Sequence, residues 1–283
     1  MGTSPSKYRK DVNCFDTISQ YILSVTGVPK KFDREEEQAG LRHCIVRELF
    51  NGNFSSPIRN ELNLGGLRVL DIGCGFGAWM FEMSSDFQKC HYVGVDITPQ
   101  YFIVNKPKNV DFINADINNG LPFHDESFDF IHIRHLVYDL QDNEWDSLIR
   151  ESVRVLRSGG YIEITETEMV TKNVGPSMAK LIKKVVDLLN EKKIGILIVD
   201  RIEEVMKSNN LQNIVRYERN FPIGTWNNDL GDAFPTYTCD TLRNALIRFN
   251  DPKDIDNELK KFITEANLYR TYFSLHKFVS QKT

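Results

Sequence analysis

The sequence lacks the long apolar segments that mark membrane and exported proteins. It contains no apolar run of 18 residues, so we expect no transmembrane helix and no stable membrane association. Its first residues, MGTSPSKYRKDVN, carry no apolar core of a secretory signal. MGTSPS does match the short myristoylation pattern at Gly2, but a polar tail explains the same residues. With 41% hydrophobic and 26% charged residues, the composition predicts a globular protein with a sizeable core.

The sequence also lacks a basic excess and a cysteine framework. It has 35 Lys and Arg against 39 Asp and Glu, a net charge of -4, which disfavours a nucleic-acid partner. Its 5 cysteines are odd in number, widely spaced and never in a CxxC pair. This usage predicts reduced thiols in a cytoplasmic or nuclear protein, and neither a disulfide framework nor a zinc module. Without an HExxH motif, an EF-hand loop or a Cys/His cluster, we expect no metal site.

What the sequence does contain is an alternation of strand and helix patterns. Apolar or alternating runs predict five strands, at 67–73, 91–97, 110–117, 128–136 and 161–168. Helical patterns fall at 34–50 and at 144–158, where Asn143 is the expected N-cap and Gly159-Gly160 the expected stop. This order predicts an α/β fold with a parallel, doubly wound sheet. Downstream we expect helices at 176–193 and 200–208, strands at 213–223 and 269–281, and polar helices and loops between them.

The strongest local signal is a glycine loop with an acidic partner. Gly73, Gly75 and Gly77 follow the first strand and precede a helix, with Asp71 two residues before the first glycine. The GxGxG spacing is neither the dinucleotide GxGxxG nor a P-loop. Asp96 ends the second strand, where a carboxylate can accept both ribose hydroxyls of a nucleoside. Together these features predict a nucleoside-binding crevice at the carboxyl ends of the strands.

These motifs resemble those of class I S-adenosylmethionine (SAM) methyltransferases. DIGCGFG and VGVDI are similar to the family's first two strand motifs, and LPFHDESFD and VLRSGGYIEITETE are similar to its later core segments. The resemblance covers about residues 65–168. A looser resemblance to fungal LaeA-like methyltransferases lies in Tyr21, the acidic run 35–37, His43 and FPIGTW.

The resemblance implies a fold and a domain organisation. We expect a Rossmann-like, seven-stranded methyltransferase sheet with an N-terminal helical cap and a helical insertion before the last strand. The cap would span residues 1–64 and the SAM-binding domain 65–283, with 228–268 as the insertion and lid of the site.

It also implies roles for particular residues toward SAM as cofactor. The methionine part of SAM would lie near Tyr21, Asp71, Gly73, Gly75, Gly77 and the backbone of Ile133 and Arg134. The ribose would bind to Asp96, and the adenine would lie against Ile97, Asp116 and Ile117. Asp116 alternatively caps a helix or turn.

Candidate catalytic groups follow the fourth and fifth strands, where a doubly wound sheet opens toward its ligand. We select His135 as the candidate base, with local packing as the alternative. Glu166 would orient a substrate amine or hydroxyl, or cap the next helix.

The most plausible acceptor is a small molecule methylated at O, N or C. One alternative is a protein or RNA methyltransferase that docks through the lysines of 180–193. Another is a SAM-binding regulatory protein with little turnover and a protein partner.

Overall fold

The computed structural model describes most of the chain. The described residues are 34–97, 106–168, 170–191, 193–194, 198–226, 238–239, 241–243 and 255–283. Tyr21, Gly2 and, within the predicted insertion 228–268, residues 228–237, 240 and 244–254 lie outside these ranges.

The centre of the fold is a mixed seven-stranded sheet in the order β3-β2-β1-β4-β5-β7-β6. Its strands are β1 (Arg68–Ile72), β2 (His91–Asp96), β3 (Val110–Asn114), β4 (Phe128–Arg134), β5 (Leu156–Thr167), β6 (Leu211–Pro222) and β7 (Tyr272–Lys282). Neighbours among β1–β5 are parallel, and β7 runs antiparallel between β5 and β6. The α/β class and the predicted seven-stranded, Rossmann-like sheet are therefore confirmed.

Helices cover both faces of the sheet. Those of eight or more residues are α1 (Arg34–Leu49), α2 (Ala78–Asp86), α3 (Glu144–Val155), α4 (Pro176–Glu191), α5 (Ile198–Ser208) and α6 (Ile255–Tyr269). Alternation along the strands supplies each face with apolar side chains. Leu70 and Ile131 pack with α3 and α5, whereas Val69 and Phe130 pack with α2. α6 lies largely within the predicted insertion 228–268, and it packs on α4.

The predicted stop of the 144–158 helix is wrong. α3 ends at Val155, β5 begins at Leu156, and Gly159 and Gly160 lie inside that strand. A Cβ on Gly160 would come within 2.8 Å of the Asp129 carbonyl oxygen, so this glycine permits close approach to β4. The side chain of Asn143 makes no capping hydrogen bond at the helix start.

The prediction of reduced thiols is wrong at one cysteine. Cys44, in α1, is disulfide-bonded. Cys74, Cys90 and Cys239 are free, as expected.

The sheet face toward α2 carries a buried row of charged side chains. On neighbouring strands it includes Asp71, His132, Glu163 and Lys277, all less than 5% exposed. The Lys277 ammonium lies 3.4 Å from Glu163 Oε2, and Glu163 Oε1 accepts a hydrogen bond from the Ser55 amide at 2.6 Å. Burial is the main cause that lowers the pKa of Lys277. The pair connects β5, β7 and the loop after α1.

We predict that Lys277→Met destabilises the protein by about 3 kcal/mol, because it leaves the Glu163 carboxylate buried without its counter-charge. The free energy of unfolding from urea titrations measures the effect. Lys260→Met, at an exposed position on α6, serves as the control and should change stability by less than about 0.5 kcal/mol. Equal stability of the two variants would contradict a stabilising role of the pair.

Candidate functional site

A cleft with a volume of about 520 Å³ opens at the carboxyl ends of β1, β2 and β4. Its walls are the loop after β1, the end of β2, the turn after β3, the segment after β4 and one face of α1. This edge is where an open parallel sheet binds ligands. The structure therefore brings most of the sequence-predicted site residues into one cavity.

The glycine loop forms the floor of the cleft. Gly73, Gly75 and Gly77 have φ values of +71°, +51° and +76°, which L side chains rarely adopt. A Cβ on Gly73 would lie 2.4 Å from Leu136 Cδ2, while a Cβ on Gly75 would meet nothing within 4 Å. Gly75 thus leaves open space at the surface where a ligand can approach the backbone.

Asp96 links the glycine loop to β2. Its Oδ2 accepts a hydrogen bond from the Gly75 amide at 2.8 Å, and the residue lines the cleft. Ile97 follows on the cleft wall with 65% of its surface exposed. A carboxylate that is followed directly along the chain by an exposed apolar side chain suits a ribose and the base attached to it.

Asp116 and Ile117 continue this end of the cleft. Asp116 Oδ1 accepts a hydrogen bond from the Asn118 amide at 2.9 Å and so caps the 3₁₀ turn Ile117–Asn119. The predicted capping role is present, and Asp116 also lines the cleft, where a carboxylate can accept from an amino group.

The opposite end contains a buried carboxyl–imidazole pair. Asp71 Oδ1 and His132 Nδ1 are 2.7 Å apart, and the His132 ring stacks on Trp79 with centroids 3.9 Å apart and an interplanar angle of 1°. Burial raises the pKa of Asp71 to about 7. Burial, followed by the Arg134 guanidinium, holds the pKa of His132 well below its usual range. Trp79 fixes this pair, and no motif in the sequence predicted that contact.

Arg134 is connected to α1 through His43. Arg134 Nη2 lies 3.3 Å from His43 Nδ1, and His43 Nε2 lies 2.6 Å from Glu82 Oε2. An imidazole that accepts from Arg134 and donates to Glu82 satisfies both contacts. The side chain of Ile133 points into the core, so only its backbone can face a ligand.

His135 stands at the cleft wall immediately after β4. It is 6% exposed, has a φ of +61°, and both ring nitrogens lack a hydrogen-bond partner in the described structure. Burial, followed by the Arg42 guanidinium, lowers its pKa well below the usual range, so the ring is in its neutral form at physiological pH. A neutral, unpartnered imidazole in a cavity can accept a proton.

Glu166 lies behind the cleft rather than in its wall. Its Oε1 accepts from the Leu136 amide at 2.7 Å and its Oε2 from the Val137 amide at 3.3 Å. Burial raises its pKa to about 8. These contacts are not a cap of the next helix, which begins at Pro176; the carboxyl group instead holds the turn that follows His135.

The cleft contains an arginine that the sequence analysis missed. Arg42 and Ala39, three residues apart on α1, both line the cleft. Their spacing places both residues on one face of the helix. The sequence does not show that this face borders the cleft, because that depends on how α1 packs against the sheet.

A second cluster lies on β6, on β7 and just after the end of β5, outside the lining of the cleft. Ligand atoms of Glu168, Glu218 and His276 lie within 4.8 Å of one another, a geometry open to a metal ion. The Lys172 ammonium is 3.2 Å from Glu168 Oε2 and 3.7 Å from Glu218 Oε1. This lysine supplies the positive charge, so the group is an ion-pair cluster.

Residues 69–160 match the model of a methyltransferase domain family. The "Secondary metabolism regulator laeA" of Coprinopsis cinerea is 37% identical over 155 residues, which cover 54% of this chain and 37% of that protein. The demethylmenaquinone methyltransferase of Staphylococcus saprophyticus is 30% identical over 135 residues, covering 46% of this chain and 57% of the enzyme. The chain thus spans less than two thirds of either relative.

Among solved structures, phosphoethanolamine N-methyltransferase 2 of Haemonchus contortus, in complex with SAM, matches with a TM-score of 0.51 at 18% identity. The match covers 94% of this chain and 60% of that chain. At this identity the likeness establishes the fold alone. Together with the domain match, it confirms the resemblance to class I SAM methyltransferases.

Asp71 should make stability depend on pH. Between about pH 4 and pH 7 the folded protein keeps the Asp71 proton that the unfolded chain has released, so this group's contribution to stability falls as pH rises. The side chain in Asp71→Asn has no proton to release, so this decrease in stability with rising pH is absent from the variant. We predict that the stability of the variant relative to wild type increases from pH 5 to pH 8 in urea titrations.

Asp125→Asn is the matched control, since that side chain is 75% exposed. Its stability relative to wild type should stay constant over the same range. Parallel pH curves for wild type and Asp71→Asn would contradict the raised pKa of the buried carboxyl.

Proposed function

We propose that this protein is a SAM-dependent methyltransferase that transfers a methyl group to an O, N or C atom of a small molecule. The observation that carries the proposal is the Gly73–Gly77 loop, which Asp96 ties to β2 at the floor of the cleft. The demethylmenaquinone relative, whose name specifies a small-molecule acceptor, supports the substrate class. The N-terminal segment serves as a cap, because α1 already supplies part of the cleft wall.

The residues present fit this cofactor in both shape and charge. Asp96 receives the ribose hydroxyls, and Asp116 accepts from the adenine amino group between Ile97 and Ile117. The opposite end offers the Asp71 carboxyl for the ammonium and Arg134 for the carboxylate of the methionine part. Gly75 leaves the space that a close ligand needs. The proposed contact of Tyr21 lies outside the described residues.

SAM, when bound, supplies an electrophilic methyl group on a sulfonium, and the transfer is an in-line displacement. The chain must hold the acceptor atom in line with that methyl and keep water out. His135 takes the acceptor's proton when the acceptor is protonated, because its ring is neutral and its nitrogens are unpartnered. Glu166 acts as a positioning residue by holding the turn after His135.

A second candidate function is a SAM-binding regulatory protein with little turnover and a protein partner. The likeness to a protein named as a secondary metabolism regulator favours it. Docking of RNA or protein on the lysines of α4 has less support, since Lys183 forms an ion pair with Asp187 at 2.6 Å. Acidic and basic groups are mixed on that surface.

The cofactor site is tested by Asp96→Ala. Loss of the ribose contact and of the Gly75 anchor should weaken S-adenosylhomocysteine binding at least tenfold, about 1.4 kcal/mol, in calorimetric titrations. Asp111→Ala, on the exposed edge strand β3, is the control and should leave the affinity unchanged. Unchanged affinity in a folded Asp96→Ala protein would exclude the proposed ribose contact.

Methyl transfer is tested with SAM labelled in the methyl group and with separate small-molecule, protein and RNA extracts. We expect label in the small-molecule fraction, and we expect His135→Asn to reduce that rate about a hundredfold or more. Asn tolerates the positive φ at this position, so the turn should persist. S-adenosylhomocysteine affinity should stay within threefold of wild type.

Label in protein or RNA alone would overturn the substrate class. Cofactor binding without label in any fraction would favour the regulatory candidate. Full turnover by His135→Asn would exclude His135 as the base.

A further inference from the structure

In the described structure, the ring of His135 lies in the cleft wall without a polar partner. The residue is 6% exposed, and neither ring nitrogen has a hydrogen-bond partner in the described structure. Buried polar atoms are nearly always partnered in folded proteins. An exception in a cavity wall therefore points to a ligand group at that position.

The backbone keeps the ring there in spite of strain. A φ of +61° is unusual for a residue with a side chain. The His135 amide donates to the Thr165 carbonyl at 3.1 Å, and Glu166 holds the next two amides. Contacts on both sides of the residue therefore determine where the imidazole lies.

Arg42 places a positive charge beside this ring. It reaches the cleft wall from α1, and in the described part of the chain it makes no hydrogen bond or ion pair. A half-buried guanidinium with five donors is poorly satisfied in such a place without an anion. Arg42 and His135 line the same cleft, and the Arg42 charge lowers the pKa of both His135 and Glu166.

The carboxylate of the cofactor does not account for Arg42. SAM carries one carboxylate, and a second guanidinium, that of Arg134, lines the same cleft and can bind it. Arg134 acts on the charge of Asp71, whereas Arg42 is not among the groups that affect Asp71. Arg134 also acts on the charge of His135, so the cleft contains two guanidinium groups, one more than the cofactor's single carboxylate requires.

Among the described residues, Arg134 and His132 also act on the charge of His135, and two carboxyl groups lie on or behind the cleft wall around it. Both carboxyl oxygens of Glu166 accept hydrogen bonds from backbone amides behind the cleft wall, those of Leu136 and Val137. Asp139 lines the cleft and already has an interaction within the protein. Neither carboxyl group forms an ion pair with Arg42 in the described structure.

We infer that Arg42 and His135 form the acceptor subsite, and that the acceptor is a small molecule that carries a carboxylate. Arg42 binds the carboxylate and thereby sets the reacting atom beside the His135 ring. The assignment of this site to the methyl acceptor rests on the proposed function. The anion site itself does not depend on it.

The test uses benzoate and benzamide, which have nearly the same shape and differ in charge. Each is titrated in the millimolar range, by ligand-observed NMR, into the full-length protein with and without saturating S-adenosylhomocysteine. We expect wild type to bind benzoate at least tenfold more tightly than benzamide. Arg42→Gln should remove that preference and Arg42→Lys should restore part of it. Arg150→Gln, at an exposed position on α3, should behave as wild type.

S-adenosylhomocysteine affinity, measured on the same proteins, separates the two sources of a carboxylate. An affinity of Arg42→Gln within threefold of wild type supports the acceptor subsite. A tenfold loss would assign Arg42 to the cofactor's own carboxylate and overturn the inference. Equal binding of benzoate and benzamide, or no binding of benzoate, would also overturn it. If wild type binds benzoate through Arg42 but does not bind S-adenosylhomocysteine, the proposed function fails while the anion site stands.

Discussion

The geometry of the cleft depends on the hydrogen bond that the Gly75 amide donates to Asp96. This bond joins the loop after β1 to the end of β2, two strands that are neighbours in the sheet. Through this bond, the Asp96 carboxylate holds the loop from which α2 begins and keeps the space above Gly75 open. The same carboxylate faces the cleft. Because the amide partly neutralises that carboxylate, a nucleoside can approach it without meeting a bare buried charge.

Electrostatics divide the cleft into two ends. Carboxylates of Asp96 and Asp116 line the end suited to an adenosine, where hydroxyl and amino groups donate hydrogen bonds. Arg134 and the buried Asp71 carboxyl belong to the other end, and Arg42 and the neutral His135 imidazole line the same cleft. Burial raises the pKa of that carboxyl to about 7, so a cationic ligand can complete its ionisation near neutral pH. The cleft is therefore suited to an elongated ligand whose two ends differ in charge.

The sequence predicted the features that neighbouring residues determine. Gly73, Gly75 and Gly77 follow a strand, and Asp96 ends the next one, so strand alternation and glycine spacing sufficed to place them together. The helix end at Val155 was mispredicted because a glycine pair has two uses. It can end a helix, or it can let one strand approach another, and only the pairing of β5 with β4 decides between them. The disulfide at Cys44 was missed because residue spacing does not report which thiols meet.

Side-chain contacts between distant segments could not be predicted in the same way. The stacking of Trp79 on His132, the contact of Arg134 with His43 and the pairing of Glu163 with Lys277 join residues 53, 91 and 114 positions apart. The first two arise from the packing of α2 and α1 on one sheet face, and the third from the pairing of β5 with β7.

The same reasoning explains where specificity resides in this fold. The segment that matches the methyltransferase domain family, 69–160, contains the cofactor-facing loop and His135 but not Arg42. Unrelated reactions share one fold because the elements added around it differ. Here the added element is α1, which brings a guanidinium to the cleft through its own helical spacing. If Arg42 binds the acceptor as inferred, the packing of α1 against the sheet contributes more to the choice of acceptor than the sheet itself does.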